Sequence, residues 1–321
     1  MIHPIPPGTR DVLPDEMREL RALSTSLHAS FDGAGYGEVW TPAMEYEEVM
    51  RRGDDRAAGA GYKLFDDTGQ LLVLRSDMTI PIARVVATRF PDAPMPLRLC
   101  YFAHAYRAVQ SGQGQSREFL QAGIELVGAP TPEGDAEVIA LTVEALSDAG
   151  LARHRIGLGD GDLYRTLLGS LEVPEDERLG LLEALARRDL VEVGARAERL
   201  DMPPDGRELL TRLPTLRGDA EVLGQVNGPV SQAVERLRAL HELLEERGVA
   251  DRVIFDLGLI RELGYYTGPV WEVYDPAVGF RLGGGGRYDE MIGRFGRDLP
   301  ACGTALDVER VHAAKMAEER G

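Results

Sequence analysis

The sequence predicts an α+β fold in which an antiparallel sheet is flanked by helices. Residues 97–107 and 117–128 alternate like strands, and the Gly-rich stretch VQSGQGQS joins them as a hairpin loop does. Strands and helices also fall in separate blocks of the chain, whereas a βαβ array would alternate them. The chain has 321 residues, 44% of them apolar, which is enough for a sizeable core.

The first half of the chain is assigned from periodicity and turn residues. Residues 14–31 place apolar side chains on one helical stripe. Residues 33–45 break into a turn and an extended segment closed by a proline. Residues 70–79 form a short strand that runs into a polar turn, and the two strands of the hairpin follow. A helix over 135–150 ends at a glycine, a residue typical of helix ends.

The second half contains a helical stretch and then returns to strands. Residues from about 160 to 250 are helical and strongly charged, and the clearest helix covers 231–248. Residues 252–275 return to strands, and a last strand followed by a helix closes the sequence. We therefore expect one domain over 1–321, with a helical insertion at about 160–250.

The charge balance and the cysteines limit the possible partners. The chain carries 36 basic and 53 acidic residues, a net charge of −17. Extensive nucleic-acid binding needs excess Lys and Arg, because phosphate neutralisation carries most of the affinity. No run of about 18 apolar residues and no signal-peptide pattern occurs. Cys100 and Cys302 lack the spacing of a metal site or a disulfide. We expect a cytoplasmic protein without a metal, nucleic-acid or membrane partner.

The strand at 117–128 has an unusual polar face. Side chains two residues apart lie on the same side of a strand, so Arg117, Gln121 and Glu125 share one face. Gly123 leaves room between them, and the opposite face is apolar and can meet helices. A solvated face is common in antiparallel sheets, but it usually carries Thr, Lys and Glu without a glycine gap. The pattern favours a binding site over a solvated face.

Two further segments carry groups that suit an amino-acid ligand. RELGYYTG supplies Arg261, Tyr265 and Tyr266, and a guanidinium can bind a carboxylate through two parallel hydrogen bonds. Asp77 and Thr79, at a strand end, can accept hydrogen bonds from an ammonium group. The alternatives are two core tyrosines beside a surface arginine, and an ordinary turn capped by an aspartate. Together with the polar strand face, these segments hold the groups of an amino-acid pocket.

The GGGGR motif at 283–287 does not predict a phosphate-binding loop. Such a loop ends in Lys and Ser or Thr, which are missing here. Four glycines indicate a turn, or a place where a ligand or a second backbone comes close. We expect no cofactor.

The ordered set of segments resembles the catalytic core of histidyl-tRNA synthetases, which are class II aminoacyl-tRNA synthetases. PPGTRDVLP resembles the N-terminal signature of that family, and GYGEVWTPAME resembles motif 1, which builds the dimer interface. YRAVQSGQGQSREFLQAGIELVG resembles motif 2, and IRELGYYTG resembles the histidine-specific segment. GGGRYDEMIGRFG and PACGTALDVERV resemble the approach to motif 3 and motif 3 itself. The resemblance implies a class II synthetase-like core over nearly the whole chain outside its helical middle.

The same resemblance implies two sites, carried over position by position. The residues expected to bind histidine are Asp77, Thr79, Gln121, Glu125, Arg261, Tyr265 and Tyr266. Of these, the first three would receive the ammonium group, Glu125 and Tyr265 would face the imidazole, and Arg261 would face the carboxylate. The residues at the positions for ATP phosphates are Arg107, Arg117 and Arg310.

Departures from the synthetase pattern fall mainly in the nucleotide half. The position at which the synthetases carry an acidic residue that recognises adenine is Val109 here. A valine cannot accept a hydrogen bond from the exocyclic amine of adenine. Asp307 replaces the last glycine of motif 3 and adds bulk and negative charge where ATP would sit. Gln115 replaces an arginine of the motif 2 loop, and Gly-Leu-Asp before the tyrosines has become Glu-Leu-Gly at 262–264. We expect the C-terminal anticodon-binding domain to be missing, because the sequence ends just after motif 3.

A synthetase core of this kind resembles the regulatory subunits of ATP phosphoribosyltransferase, which are paralogues of histidyl-tRNA synthetase. That resemblance implies a non-catalytic subunit, without catalytic residues, that activates a short-form catalytic subunit in the first step of histidine biosynthesis. It further implies feedback by histidine, a hetero-octamer of four regulatory and four catalytic subunits, and a homodimer through the motif 1 region.

Two other hypotheses stay open from the sequence. One is an enzyme that adenylates an amino acid for a non-tRNA acceptor, because the retained arginines could still support phosphoryl chemistry through positioning and charge. The other is a structural scaffold whose pocket is vestigial.

Overall fold

The computed structural model of the protein describes residues 5–108, 116–260 and 264–320. Its strands, in chain order, are β1 (Gly37–Glu38), β2 (Met44–Tyr46), β3 (Lys63–Phe65), β4 (Leu71–Leu74), β5 (Leu97–Tyr106), β6 (Glu118–Val127), β7 (Arg155–Asp160), β8 (Arg217–Gly218), β9 (Val253–Asp256), β10 (Pro269–Tyr274), β11 (Arg281–Arg287) and β12 (Ala301–Asp307). Its α-helices are α1 (Pro14–Gly33), α2 (Glu47–Gly53), α3 (Asp55–Ala60), α4 (Thr79–Arg89), α5 (Glu133–Asp148), α6 (Leu163–Ser170), α7 (Glu175–Ala186), α8 (Leu190–Arg199), α9 (Pro204–Arg212), α10 (Ser231–Glu246) and α11 (Val308–Arg320). Short 3₁₀ helices cover Leu213–Thr215, Ala220–Gln225, Ala250–Arg252 and Gly293–Phe295.

Within the described ranges, the strands form a large sheet and a small one. The large sheet has the order β1-β5-β6-β12-β11-β10-β7-β9-β8, and the small sheet has the order β2-β4-β3. The five successive pairs from β5 through β6, β12, β11 and β10 to β7 are antiparallel. Parallel pairing occurs between β1 and β5 and between β7 and β9. The predicted antiparallel hairpin is confirmed as β5 and β6.

One face of the large sheet is covered by α1, α5 and α11. The predicted stripe of α1 is buried at Leu20, Leu23, Leu27 and Phe31 and belongs to the same core as Ile124 of β6. Each fully buried side chain of this size stabilises the fold by about 1.5–3 kcal/mol. Pro14 begins the helix because its missing N–H costs nothing in the first turn, where acidic residues also suit the helix dipole. The helix predicted at 14–31 is confirmed.

The stretch between β7 and β9 forms helices α6 to α10. Leu237, Leu240 and Leu244 give α10 the buried stripe that its sequence predicts. Strand β8 interrupts the helices and pairs antiparallel with β9, which ties this stretch to the sheet.

The glycine run at 283–286 lies inside strand β11, so the turn predicted there is wrong. The alternative, close approach of a second backbone, is correct. A Cβ on Gly285 would lie 1.9 Å from the carbonyl oxygen of Gly303 on β12. A Cβ on Gly286 would lie 2.6 Å from the Tyr266 ring. The glycines therefore allow the neighbouring strand and Tyr266 to pack against β11.

Candidate functional site

The polar face of β6 is buried inside the molecule. Gln121 is 5% exposed and Glu125 is 1% exposed, which excludes the solvated face. The opposite face, with Ala122 and Ile124, packs in the core under the helices, as predicted. A second buried cluster lies on the Glu125 side of the sheet and contains residues of α4 together with Tyr265. The polar side chains are therefore enclosed between the sheet and α4.

Glu125 is the centre of a hydrogen-bonded group of hydroxyls. Thr79 Oγ1 donates to Glu125 Oε1 at 2.8 Å, and the Tyr101 hydroxyl contacts the same oxygen at 3.4 Å. The Tyr288 hydroxyl bonds to Glu125 Oε2. Burial raises the pKa of Glu125 to about 8, although the bonds from Tyr288 and Thr79 oppose this rise. At neutral pH the group is mainly a carboxylic acid, which can donate one of these hydrogen bonds itself.

Two glycines make room for this group. Gly303 pairs with Glu125 across β12 and β6, and a Cβ on Gly303 would lie 1.8 Å from Glu125 Oε2. Gly123 pairs with Tyr101 across β6 and β5, and a Cβ on Gly123 would lie 2.3 Å from the Tyr101 hydroxyl oxygen. The space predicted beside Gly123 therefore exists, but Tyr101 fills it.

Asp77 and Thr79 lie at the N-terminus of α4. The predicted short strand and the polar turn after it are confirmed, since β4 ends at Leu74 and Asp77 lies in the following turn, but Thr79 is the first residue of the helix. Asp77 Oδ1 accepts a hydrogen bond from the Ile80 N–H at 3.2 Å, so the aspartate also caps the first turn. Burial raises the pKa of Asp77, and the Arg107 guanidinium opposes that rise. Both side chains are buried.

Gln121 carries an orphaned polar atom at this site. Its Oε1 is buried and has no hydrogen-bond partner among the described residues. Buried amide oxygens are normally paired, so this oxygen can accept a hydrogen bond from a ligand donor such as an ammonium group.

Two tyrosines whose rings contact each other at a tilt of 45° border the Glu125 group. The rings of Tyr265 and Tyr266 have centroids 4.7 Å apart, and Tyr265 meets Tyr288 edge-on at 6.0 Å. Burial raises the pKa of the Tyr265 hydroxyl well above its ordinary value, and Asp77 adds to this effect. Arg261, Glu262 and Leu263, which precede them, lie outside the described residues.

The nucleotide half of the predicted site contains an internal ion pair. Asp307 lies opposite Gln121 in the register of β12 and β6. Arg310 Nε lies 3.2 Å from Asp307 Oδ2, and Arg310 Nη1 donates to the Arg281 carbonyl at 3.0 Å. Burial raises the pKa of Asp307, while Arg310 and Arg107 oppose the rise. The carboxylate thus occupies a place between arginines predicted to face phosphate.

The other two predicted phosphate residues have contacts of their own. Arg107 Nε donates to the Ser76 carbonyl at 3.2 Å, and its guanidinium carbon lies 4.9 Å from the centroid of the Phe119 ring. The Arg117 N–H donates to the Gly8 carbonyl at 2.7 Å, so the N-terminal segment packs over this end of the hairpin. Arg117 is eight residues from Glu125, about 26 Å along an extended strand, and does not join the Glu125 group. Val109 and Gln115 lie outside the described residues.

Tyr101 and Tyr288 are the site residues that the sequence analysis missed. Tyr101 lies in the predicted strand at 97–107, and its place opposite Gly123 could have been found from the hairpin register. Tyr288 directly follows the GGGGR motif, whose close packing brings its hydroxyl to Glu125. Both roles depend on pairing between distant strands.

The described parts of the chain contain no cluster of three or more His, Cys, Asp and Glu side chains that could hold a metal ion. Among the described helices, none combines the length and the apolarity needed to cross a bilayer. Cys100 and Cys302 are buried free thiols.

Comparison with known proteins gives consistent results. A family model described as histidyl-tRNA synthetase matches residues 8–311. The chain is 44% identical over 325 residues to the ATP phosphoribosyltransferase regulatory subunit of Symbiobacterium thermophilum, covering 98% of this chain and 80% of that protein. It is 44% identical over 313 residues to the protein of the same name from Rubrobacter xylanophilus, covering 95% and 75%.

Solved structures agree with the sequence comparisons. An ATP phosphoribosyltransferase regulatory subunit/histidyl-tRNA synthetase from Bacillus halodurans superposes with a TM-score of 0.90 at 32% identity, covering 98% of this chain and 84% of that one. Histidyl-tRNA synthetase from Nostoc, at 21% identity and a TM-score of 0.81, shares the fold and covers 99% and 76%. The predicted class II synthetase-like fold is confirmed.

Proposed function

We propose that this chain, which belongs to the histidyl-tRNA synthetase family and within it to the ATP phosphoribosyltransferase regulatory subunits, is the non-catalytic regulatory subunit of that enzyme in histidine biosynthesis. The observation that carries the proposal is the pairing of Asp307 with Arg310 beside the buried Glu125 group. A carboxylate repels ATP phosphates and competes for the arginine that would bind them. The amino-acid half keeps its acids and hydroxyls.

Histidine is the effector that the site suits. In this proposal its imidazole meets Glu125 beside Tyr265, and its ammonium group meets Asp77, Thr79 and the orphaned oxygen of Gln121. The predicted partner for the carboxylate is Arg261, and Tyr266 closes the pocket. An effector shifts an equilibrium only by its difference in affinity for two states. Histidine therefore acts by stabilising one arrangement of this subunit and of the catalytic partner bound to it.

The proposed assembly is a cytoplasmic hetero-octamer with a short-form catalytic subunit. When the purified chain is added to a short-form catalytic subunit, we expect phosphoribosyl transfer to ATP to rise, and we expect histidine to reverse the rise. The chain alone should bind histidine in a calorimetric titration and should not bind ATP with magnesium, because Asp307 opposes the phosphates. Failure to stimulate any short-form subunit would contradict the proposal. Amino-acid-dependent exchange of pyrophosphate into ATP would instead support the adenylating enzyme.

A homodimer through the motif 1 region is part of the same proposal. The small sheet and the segment before it expose large apolar side chains, including Trp40, Tyr46 and Phe65. Trp40 is 90% exposed, which is unusual for the largest apolar side chain. A second copy of this chain would cover these groups, as motif 1 does in the resembling family.

Introducing charge at this surface should therefore weaken the dimer. We expect Trp40→Glu to raise the dimer dissociation constant by about tenfold or more, since buried aromatic anchors dominate interfaces. Sedimentation equilibrium measures this constant directly. Val191→Glu is the matched control, because Val191 of α8 is 84% exposed and lies outside the motif 1 region. Equal dissociation constants for the two variants and the unaltered chain would place the dimer interface elsewhere.

A further inference from the structure

A cleft of about 220 Å³ lies between the end of α7 and the large sheet. Arg187 and Arg188 line it from the turn after α7, and Ile260 lines it from the segment after β9. The sheet contributes Glu272 of β10 and Arg281 of β11. A cleft of this volume can hold several water molecules, so it suits a small ligand.

Arginines predominate among the charged residues that line this cleft, although the chain as a whole is acidic. Three arginines and one glutamate line it, and each arginine pairs with one carboxylate: Arg187 with Glu192, Arg188 with Asp256 and Arg281 with Glu272. The chain as a whole carries a net charge of −17. Guanidinium groups match the geometry of phosphate oxygens, and a phosphate ester carries between one and two negative charges at neutral pH. The N–H donors that these pairs leave over can therefore bind the oxygens of a small phosphate-bearing ligand.

The guanidinium groups are held in place and remain accessible. Arg281 Nη1 donates to Glu272 Oε1 at 3.0 Å, which satisfies the carboxylate that would otherwise repel an anion. Arg188 Nη2 donates to the buried Asp256 Oδ2 at 2.5 Å, and Arg217 Nε lies 3.9 Å from the same oxygen. A guanidinium has five N–H donors, so one bond to Asp256 orients Arg188 and leaves donors for a ligand. The side chains of all three lining arginines are about half exposed.

Arg188 has a backbone conformation that normally belongs to glycine. Its φ is +55°, and it follows α7 at the position where helices usually place a left-handed glycine. The Arg188 and Asp189 N–H groups donate to the Leu185 and Ala184 carbonyls, both at 2.9 Å, which is the bonding of that helix end. The chain thus keeps a charged side chain at the edge of the cleft at the expense of backbone strain.

We propose that this cleft binds a small phosphate-bearing ligand through Arg187, Arg188 and Arg281. The site is separate from the Glu125 group and goes beyond the proposed histidine sensing. Leu259 lines the cleft and also belongs to the buried cluster that contains Tyr265 and Tyr266. The ligand would thereby join the stretch between β7 and β9 to the sheet next to that cluster.

Inorganic pyrophosphate is the probe for calorimetric titration of the full chain at constant ionic strength. We expect saturable binding to the unaltered chain and a loss of affinity of about tenfold or more in Arg188→Gly and in Arg281→Gln, since each variant loses a charge-assisted bond. Arg188→Gly keeps the left-handed turn, because glycine adopts it freely. Arg281→Gln leaves both that turn and the Asp256 pair unchanged, so it tests the cleft even if Arg188→Gly unfolds.

Glu172→Gly is the matched control, because Glu172 also has a positive φ, at +51°, and does not line the cleft. Its affinity for pyrophosphate should stay within about twofold of the unaltered chain. Absence of saturable binding, or equal affinity in the unaltered chain, Arg188→Gly and Arg281→Gln, would overturn the proposal.

Discussion

Glu125→Gln is expected to weaken histidine binding by about 100-fold or more, because truncating one partner of a buried charge pair costs several kcal/mol. Glutamine keeps the shape and the hydrogen bonds to Thr79 and Tyr288, so the change removes the ionisable proton and little else. Calorimetric titration with histidine measures the loss. If affinity is unchanged, Glu125 does not contact the imidazole.

The pH dependence of binding gives a second test of the same residue. The pKa of Glu125 is about 8 in the free protein, and that of an imidazole is about 6.5. Between these values the two groups together hold one proton, so an imidazolium–carboxylate pair forms without proton exchange with solvent. Above about pH 8 binding must take up a proton, and below about pH 6.5 it must release one. Affinity should therefore be highest between these limits, and Glu125→Gln should lose the decline on the alkaline side.

The free energy of unfolding of the free protein should also depend on pH through Glu125. The pKa of Glu125 is raised from 4.5 in the reference state to about 8 in the fold, so the folded state binds more protons between these values. Unfolding free energy contributed by this group therefore falls as pH rises through that window, by up to about 1.4 kcal/mol per pH unit. Glu125→Gln removes this slope, which urea unfolding at several pH values would show.

Glu137→Gln is the control for the calorimetric titration with histidine and for the urea unfolding. Glu137 lies on α5, on the helical side of the sheet, where it accepts hydrogen bonds from Arg98 and Tyr36. Its substitution should alter stability without changing histidine affinity by more than about twofold, since it lies outside the Glu125 group.

The sequence predicted those elements whose signals are local. The hairpin of β5 and β6 was placed almost to the residue, because alternation of polar and apolar side chains depends only on neighbouring positions. No helix is predicted after the polar turn at 70–79, whereas α4 begins at Thr79 and tolerates Pro81 in its first turn. The glycine strand β11 was missed because glycine has little preference for strands, and pairing with β10 and β12 decides its conformation.

The site shows the same division between local and long-range signals. Gln121 and Glu125 follow from alternation along one strand, and the structure brings Thr79 and Tyr265 to the same side of the sheet. Tyr101 and Tyr288 reach Glu125 only through the register between β5, β6, β12 and β11. The raised pKa of Glu125 likewise comes from burial by distant segments, which no short pattern contains. The roles of these residues toward histidine stay predictions.

Arg287→Met should lower the unfolding free energy by about 3–5 kcal/mol, the cost of leaving a buried charge without its partner. Arg287 Nε donates to both carboxylate oxygens of Asp135 at 2.9 and 3.1 Å, and the side chains are only 2% and 0% exposed. Burial already raises the pKa of Asp135, and the guanidinium opposes that rise. Without Arg287 the pKa of Asp135 in the folded state rises further, so folding is opposed more strongly once the pH is high enough to ionise this carboxyl in the unfolded chain. The variant should therefore lose more stability at about pH 8 than at about pH 5. Urea unfolding at both pH values measures the effect.

A second ion pair on the same helix has similar hydrogen bonds but is less buried, so it tests whether burial sets the energetic cost of breaking such a pair. Asp135 and Glu137 both lie on α5, and Arg98 of β5 binds Glu137 through two bonds of 2.7 Å. The Arg98 pair is 32% and 25% exposed, so Arg98→Met should cost only about 1 kcal/mol, as water can solvate the remaining carboxylate. Similar costs for Arg98→Met and Arg287→Met would show that burial does not set the strength of these pairs.

Combining Arg287→Met with Asp135→Leu should recover most of the stability, because an apolar pair leaves no charge unpaired. Histidine affinity in that double variant reports on Tyr288, since Arg287 immediately precedes the tyrosine that bonds to Glu125. Recovered stability with weakened histidine binding would show that the ion pair positions Tyr288 as well as holding β11 against α5.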